Sequence, residues 1–340
     1  MRLDKSSSID QFLNRLDCLV PTLHTFSISA IDHHLGILEV PSGLHSPLFP
    51  SLKKLNIDGI SAFHGPQLFP YVTELTWRTG RHWPIEMVDF LGTLEQLPSL
   101  KRVYVTFHPS FVALVNSPVS VVTLPHVQEM SLVSSPGTDL FERSRFPDIL
   151  EYLQLPNLTK LYVEPLSMTA GMTRPLIFPS TTLGQKFPNF TELPELHVDM
   201  GSREATFRNM SRATLKYRME VMGNYNHMER KDWKGLPLLS VQRLIVNIAP
   251  QPVRMAFKNT WLVGLLKDLK SLKHLELGGE CGDAIQWLCG EMMQDKRSIP
   301  IKTLCIRCGG HDMDLARWLK RLAGIVGIAA TVICVPEPRA

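Results

Sequence analysis

The chain has 340 residues, enough for a sizeable core, with 44% hydrophobic and 20% charged residues, a globular composition that excludes bulk disorder. Thirty-six Lys and Arg against 32 Asp and Glu leave a net charge of +4, so no chain-wide basic field points to nucleic acid and no acidic tail to a solvating segment. Proline is over-represented, with 25 residues. The first residues, Met1 to Ser8, contain no apolar stretch of signal-peptide type, and the uncharged stretch Leu322 to Val335 is shorter than the roughly 20 residues a membrane span needs. Six cysteines in a chain this long do not form a disulfide framework, so the expected setting is reduced and intracellular, cytoplasmic or nuclear, with no membrane partner.

Read along the chain, one short pattern recurs. It appears as Val20-Pro-Thr-Leu23-His-Thr-Phe26-Ser-Ile28, then Phe49-Pro-Ser-Leu52-Lys-Lys-Leu55-Asn-Ile57 and Phe69-Pro-Tyr-Val72-Thr-Glu-Leu75-Thr-Trp77. Three more copies follow: Leu97-Pro-Ser-Leu100-Lys-Arg-Val103-Tyr-Val105, Leu124-Pro-His-Val127-Gln-Glu-Met130-Ser-Leu132 and Leu155-Pro-Asn-Leu158-Thr-Lys-Leu161-Tyr-Val163. Later copies are shorter: Leu193-Pro-Glu-Leu196-His-Val198, Val241-Gln-Arg-Leu244-Ile-Val246, Leu272-Lys-His-Leu275-Glu-Leu277 and Ile301-Lys-Thr-Leu304-Cys-Ile306. Most steps between copies are 27 to 35 residues, with one of 20 and one of 48. One such hexad fits any half-buried strand; ten at a near-regular step are a repeat array.

Strand alternation turns the last two apolar residues of each copy to one face and the residue between them to the other. One strand cannot bury that face alone, so parallel stacking of the copies is required, with a core against returning segments. Proline suits the start of each strand, where no ladder donor is needed. Ile85 to Leu91 and Ala284 to Leu288 read as short return helices, and Asp312 or Asp314 as the cap of a last helix beginning near Leu315. The expected fold is α/β: an irregular leucine-rich-repeat horseshoe, strands on the concave face and helices and loops on the convex one. Its parts are an N-terminal cap helix over 1–19, the solenoid over 20–310, and a C-terminal cap helix and strand over 311–340.

Arg143-Ser-Arg-Phe-Pro-Asp-Ile-Leu-Glu-Tyr-Leu-Gln-Leu-Pro-Asn-Leu-Thr-Lys-Leu-Tyr-Val163 resembles the leucine-rich-repeat region of mushroom-type fungal F-box proteins, as does Leu124 to Leu132. The likeness covers roughly residues 15–310. It implies a repeat surface that recruits proteins for ubiquitylation, while in that family an N-terminal F-box docks on the Skp1 adaptor. Two departures accompany it. No Asn or Cys recurs three residues after each Leu-x-Leu, and the residues before the first copy contain no Leu-Pro-x-Glu-Ile/Leu segment of F-box type. Skp1 and cullin are therefore expected as partners only if an F-box lies upstream. A free-standing repeat scaffold with no ubiquitin role is the alternative.

Residues 200–235 break the period and hold eight Lys and Arg against four Asp and Glu. Arg203 to Met222 can form a helix with Phe207, Met210, Leu215 and Met222 partly on one side, covering an irregular junction. Its aromatics do not alternate with its basic residues as a base-stacking surface requires, so nucleic-acid binding is not expected.

No nucleophile elbow, phosphate loop or zinc-protease helix occurs, and no enzyme activity or cofactor is expected. Gly278-Gly-Glu-Cys-Gly-Asp283 reads as a turn into a capped helix. Cys305-Ile-Arg-Cys308-Gly-Gly-His311, with Cys281 and Cys289, is the one cluster that suggests zinc or thiol chemistry. Strand alternation points Cys305 outward and Cys308 inward, against a shared ion. His33-His34 and His311-Asp312 lack a supporting acidic cluster.

The array makes its outward residues the natural contact surface. Between the last two core positions these are Ser27, Asn56, Thr76, Tyr104, Ser131, Tyr162, His197, Ile245, Glu276 and Cys305. Two residues earlier stand Thr25, Lys54, Glu74, Arg102, Glu129, Lys160, Glu195, Arg243, His274 and Thr303. Arg102, Tyr104, Lys160 and Tyr162 are singled out for binding a protein ligand on the concave face, because Tyr and Arg dominate interface hot spots.

Overall fold

A computed structural model describes residues 2–3, 22–30, 37–39, 49–60, 62–64, 69–79, 85–107, 113–114, 120–134, 146–164, 186–199, 204–209, 213–218, 238–248, 262, 265–266, 268–279, 285–286, 288–290, 301–308, 313–325 and 327–334. The chain divides into two compact units: Met1–Thr173 with Ile177–Asn189, and Arg174–Leu176 with Phe190–Ala340.

The first unit is an open, wholly parallel sheet. Its strands are β1 (Arg2–Leu3), β2 (Thr25–Ala30), β3 (Lys54–Asp58), β4 (Glu74–Arg78), β5 (Arg102–Phe107), β6 (Glu129–Ser134) and β7 (Lys160–Glu164). Each pairs in parallel with the next in sequence. That order is compatible with a solenoid-like arrangement, in which every repeat contacts only its neighbours. Of segment 1–19, expected as a cap helix, β1 is strand, and the remaining residues lie outside those described.

The repeated motif works as a turn followed by a strand. The amide of the second apolar residue returns to the carbonyl of the first: Leu52 to Phe49, Val72 to Phe69, Leu100 to Leu97 and Leu158 to Leu155, each at 3.2 Å. Pro50, Pro70, Pro98 and Pro156 occupy the second turn position, where a φ near −65° is favoured and no amide is needed. The two residues before each strand's first core position then donate their amides to one carbonyl of the preceding repeat. Lys53 and Lys54 meet the His24 carbonyl at 2.9 and 3.0 Å, and Lys101 and Arg102 meet that of Thr73 at 2.8 and 3.0 Å. Both lone pairs of that carbonyl are used, so this stitch joins consecutive turns without a recurring Asn or Cys. Asn157 and Asn189 add side-chain versions, donating to the Pro125 and Leu158 carbonyls at 2.7 and 2.9 Å.

In the copies from Phe49 to Val163, four apolar positions each are thereby buried in layers. Leu155, Leu158, Leu161 and Val163 are at most 1% exposed, as are Leu52, Leu55 and Phe49. A fully buried side chain of this kind contributes roughly 1.5–3 kcal/mol. Aromatics fill the first turns: Phe49 stacks on Phe26 and Phe69 at 5.4 and 5.8 Å. Behind β4, the return segment is Ile85–Glu86 in a short strand followed by helix α1 (Met87–Glu95), which buries Met87, Phe90, Leu91 and Leu94. The Trp77 ring stacks on Phe90 at 4.8 Å, and its Nε1–H donates to the Ile60 carbonyl at 2.7 Å.

The second unit contains β8 (Glu195–Asp199), β9 (Glu204–Asn209), β10 (Ala213–Arg218), β11 (Arg243–Ile248), β12 (His274–Gly279), β13 (Thr303–Cys308) and β14 (Ala329–Cys334). Strands β8, β11, β12, β13 and β14 are parallel and adjacent in that order. The double stitch recurs here, with Gln242 and Arg243 on the Pro194 carbonyl at 2.7 and 2.8 Å. Helix α2 (Met313–Ile325) buries Ala316, Leu319 and Ala323. It ends at Gly327, whose φ of 79° suits glycine, with the Ile328 amide returning to the Ala323 carbonyl at 2.8 Å.

One expectation is overturned. The basic segment does not form a helix over Arg203–Met222; β9 pairs antiparallel with β8 and β10 antiparallel with β9. Ala213 and Leu215 are 4% and 0% exposed, while Thr214 and Lys216 between them are half-buried, a period of two. A hairpin beside β8 extends a sheet face that already buries Leu196 and Val198, and that tertiary gain outweighs local helix preference.

Candidate functional site

The outward rows align across the first unit as strand register requires. Lys54, Glu74, Arg102, Glu129 and Lys160 are direct neighbours in one row; Asn56, Thr76, Tyr104, Ser131 and Tyr162 form the next. The four candidate residues are thus brought together. Arg102 and Tyr104 project from β5, Lys160 and Tyr162 from β7, and Glu129 and Ser131 of β6 lie between them.

The row carries a chain of ion pairs. Glu74 accepts from Lys54 Nζ at 3.2 Å on one oxygen, and from Arg102 Nε and Nη2 at 2.9 and 2.5 Å on the other. Glu129 accepts from the Tyr104 hydroxyl at 3.2 Å and lies 3.7 Å from Lys160 Nζ. The acids are recessed and the cations project: Glu74 and Glu129 side chains are 17% and 32% exposed, against 52%, 44% and 68% for Lys54, Arg102 and Lys160.

The Arg102 guanidinium, hydrogen-bonded to Glu74, holds that carboxyl below its ordinary value, with burial acting the other way. In return Glu74 raises Arg102. Burial first, and then the Glu129 charge, raise the Tyr104 hydroxyl, so it stays a donor at neutral pH. Because the folded Glu74 value is depressed, its pairing stabilises the protein above the unfolded carboxyl value and is lost as pH falls through the lower, folded one. Urea midpoints at pH 6 and pH 3 should show wild type losing more than Glu74→Gln. The difference should stay below about 1 kcal/mol, since both cations are solvent-screened. Equal acid sensitivity would mean the pair contributes nothing.

The second unit shows a parallel network. Glu195 is 8% exposed, and its carboxylate lies 2.6 Å from His197 Nε2 and 3.3 Å from Arg243 Nη1. Glu276 meets Arg243 Nη2 at 3.4 Å and Arg307 Nε at 2.8 Å. His274 Nδ1 and Thr303 Oγ1 are 2.5 Å apart. Arg243, His274, Leu275, Glu276, Thr303 and Cys305 line an open depression of about 270 Å³. Arg307 was not singled out from sequence, since it stands a further two residues along β13 and only the register shows that it reaches Glu276.

Of the cysteine cluster, Cys289 is a buried and Cys305 a half-buried free thiol, the latter on the outward row. The side chain of Cys308, and all of Cys281 and His311, lie outside the described residues, as do His33 and His34. Among the described residues, no three His, Cys, Asp or Glu side chains come together in a metal-binding group, and no helix is long and apolar enough to cross a membrane. Burial pushes the Cys289 thiol up to about 11. At pH 8 about one thiol in a thousand would then be ionised. Iodoacetamide followed by peptide mapping should label Cys305 at least tenfold faster than Cys289; equal rates would show that the return segment opens.

No protein-family model, curated protein or solved structure matches the chain.

Proposed function

We propose that the chain is a leucine-rich-repeat protein, similar to the repeat part of mushroom-type fungal F-box proteins, acting as a non-enzymatic protein-interaction module in the cytoplasm or nucleus. Its ligand is a protein segment bound on the outward, concave face of the sheet. Arg102, Tyr104, Lys160 and Tyr162 form the contact. Skp1 and cullin join only where an F-box precedes the repeats; without one, the same surface serves a free-standing scaffold with no ubiquitin role.

The observation that carries this reading is the repetition of cation–x–tyrosine on β5 and β7, in register across β6. Rigid aromatics beside long cations, raised on a parallel sheet, supply contact area and charge at low entropic cost. The free thiols Cys289 and Cys305 fit a reducing compartment. An enzyme reading has less support. The Thr303 hydroxyl beside His274 resembles a nucleophile and base, yet the nearby Glu276 is engaged by Arg243 and Arg307 instead of orienting the imidazole.

The test is quantitative capture from a fungal lysate with wild type and with an Arg102→Ala/Tyr104→Ala/Tyr162→Ala variant. Proteins held by wild type should drop at least tenfold with the variant, both proteins melting alike by circular dichroism. An unchanged set of captured proteins would move binding off this face. Skp1 and cullin among those retained would tie the chain to a ligase.

A further inference from the structure

The face of the first unit carries a charge periodicity that selects among protein ligands. Cations stand on alternate strands: Lys53 and Lys54 at β3, Lys101 and Arg102 at β5, Lys160 at β7, all exposed. The intervening strands contribute Thr73 and Glu74, then Gln128 and Glu129. Lys54, Arg102 and Lys160 thus flank two recessed carboxylates in the outward row, and the exposed Lys53 and Lys101, one residue earlier, add positive charge at the strand starts. Two residues further along, the half-buried Tyr104 and Tyr162 repeat the same two-strand period, with Ser131 between them. Lys53 is already held over the Tyr71 ring, 5.7 Å from its centroid, which fixes a charge at this rim.

The spacing decides the shape of the ligand. Two strand intervals are about 9.5 Å. A β-strand ligand repeats its face about every 6.7 Å and falls out of step after one contact. A polyproline-II segment repeats every three residues at about 3.1 Å each, which is about 9.3 Å and matches. Resting on the reading of this face as a protein-binding surface, we infer that its ligand is an acidic, proline-containing segment in polyproline-II conformation. It crosses the strands with a carboxylate at every third residue. The carboxylates meet the Lys53/Lys54, Lys101/Arg102 and Lys160 positions. Proline rings lie against Tyr104 and Tyr162, since aromatic-lined grooves favour preformed polyproline-II chains.

Fluorescence anisotropy with fluorescein-labelled (Glu-Pro-Pro)5 tests this on the full chain. It should bind at least tenfold more tightly than (Gln-Pro-Pro)5, and tenfold more tightly than five glutamates followed by ten prolines, a peptide of identical composition. Lys101→Gln and Lys160→Gln, both solvent-facing and so compatible with folding, should each weaken it about fivefold; Lys302→Gln, on the other unit, should not. Binding of the block peptide equal to the periodic one would overturn the spacing argument, and tighter binding of a fifteen-residue oligothymidylate would make the site one for nucleic acid. No saturation at millimolar peptide would discard the ligand class. If that happens while the triple variant still abolishes capture, the face remains an interaction surface for another chemistry. Lysine-dependent peptide binding with capture unchanged would sink the broader reading instead.

Discussion

Trp77→Ala should cost about 3–5 kcal/mol, the largest loss expected from any single side chain in the first unit. Trp77 is 0% exposed and sits inward on β4, where its ring stacks on Phe90 with an interplanar angle of 18°. Phe90 in turn lies 5.7 Å from Phe107, so the indole starts an aromatic column joining two repeats to α1. Truncation empties that column and also strands the buried Ile60 carbonyl, whose donor is the indole N–H. The unsatisfied buried acceptor accounts for about 1–3 kcal/mol of that loss. Trp77→Phe keeps most of the ring and loses the N–H, so it separates the two contributions and should cost about 1–3 kcal/mol. Urea unfolding of the three proteins checks this. A loss below about 1 kcal/mol for Trp77→Ala would mean that Ile60 and α1 are not packed on β4 as described.

Leu215→Asp should destabilise the second unit by about 3–5 kcal/mol, because a carboxylate would be buried without a partner on the inner face of β10. Its neighbour offers the control. Thr214 points to the opposite face and is half-buried, so Thr214→Asp should stay within about 1 kcal/mol of wild type. In a helix the two positions would lie 100° apart and differ far less. Similar effects at 214 and 215 would restore the helical reading of the basic segment. A large contrast would establish the hairpin in solution, with Arg208 opposite Glu195 and Lys216 opposite Thr206.

The basic segment shows where reading the chain locally stops working. Arg203 to Met222 has helix-tolerant composition and apolar residues that fit a helical face about as well as a strand face. What decides between them is β8, whose free side offers unpaired backbone groups and an apolar face ending at Leu196 and Val198. No local propensity encodes that edge. Phe187-Pro-Asn-Phe190 is a related omission. It repeats the apolar-Pro-x-apolar turn, and Phe187, Phe190 and Leu193 are all 0% exposed, yet three extra residues separate it from the strand positions Leu196 and Val198. The regular spacing that exposes the other copies therefore passes over it.

The outward face was legible to a different depth. Alternation alone placed Arg102, Tyr104, Lys160 and Tyr162 on the outward side of their strands, since β geometry leaves two faces and the apolar residues claim one. It also implied that these rows run side by side. Register decided the rest. Glu74 bridges Lys54 and Arg102, Glu129 takes the Tyr104 hydroxyl, and Arg307 reaches across to Glu276. Such pairings depend on side chains from separate repeats meeting within 4 Å, which repeat spacing does not specify. By itself, then, the sequence determined the repeat, the strand faces and the identity of the projecting residues, because periodicity is a local property of the chain. Only the tertiary structure decided the division into two units, the hairpin, the shared-carbonyl stitch and the recessed acids, because each arises from a neighbour distant in sequence that supplies a hydrogen bond, a charge or an apolar face.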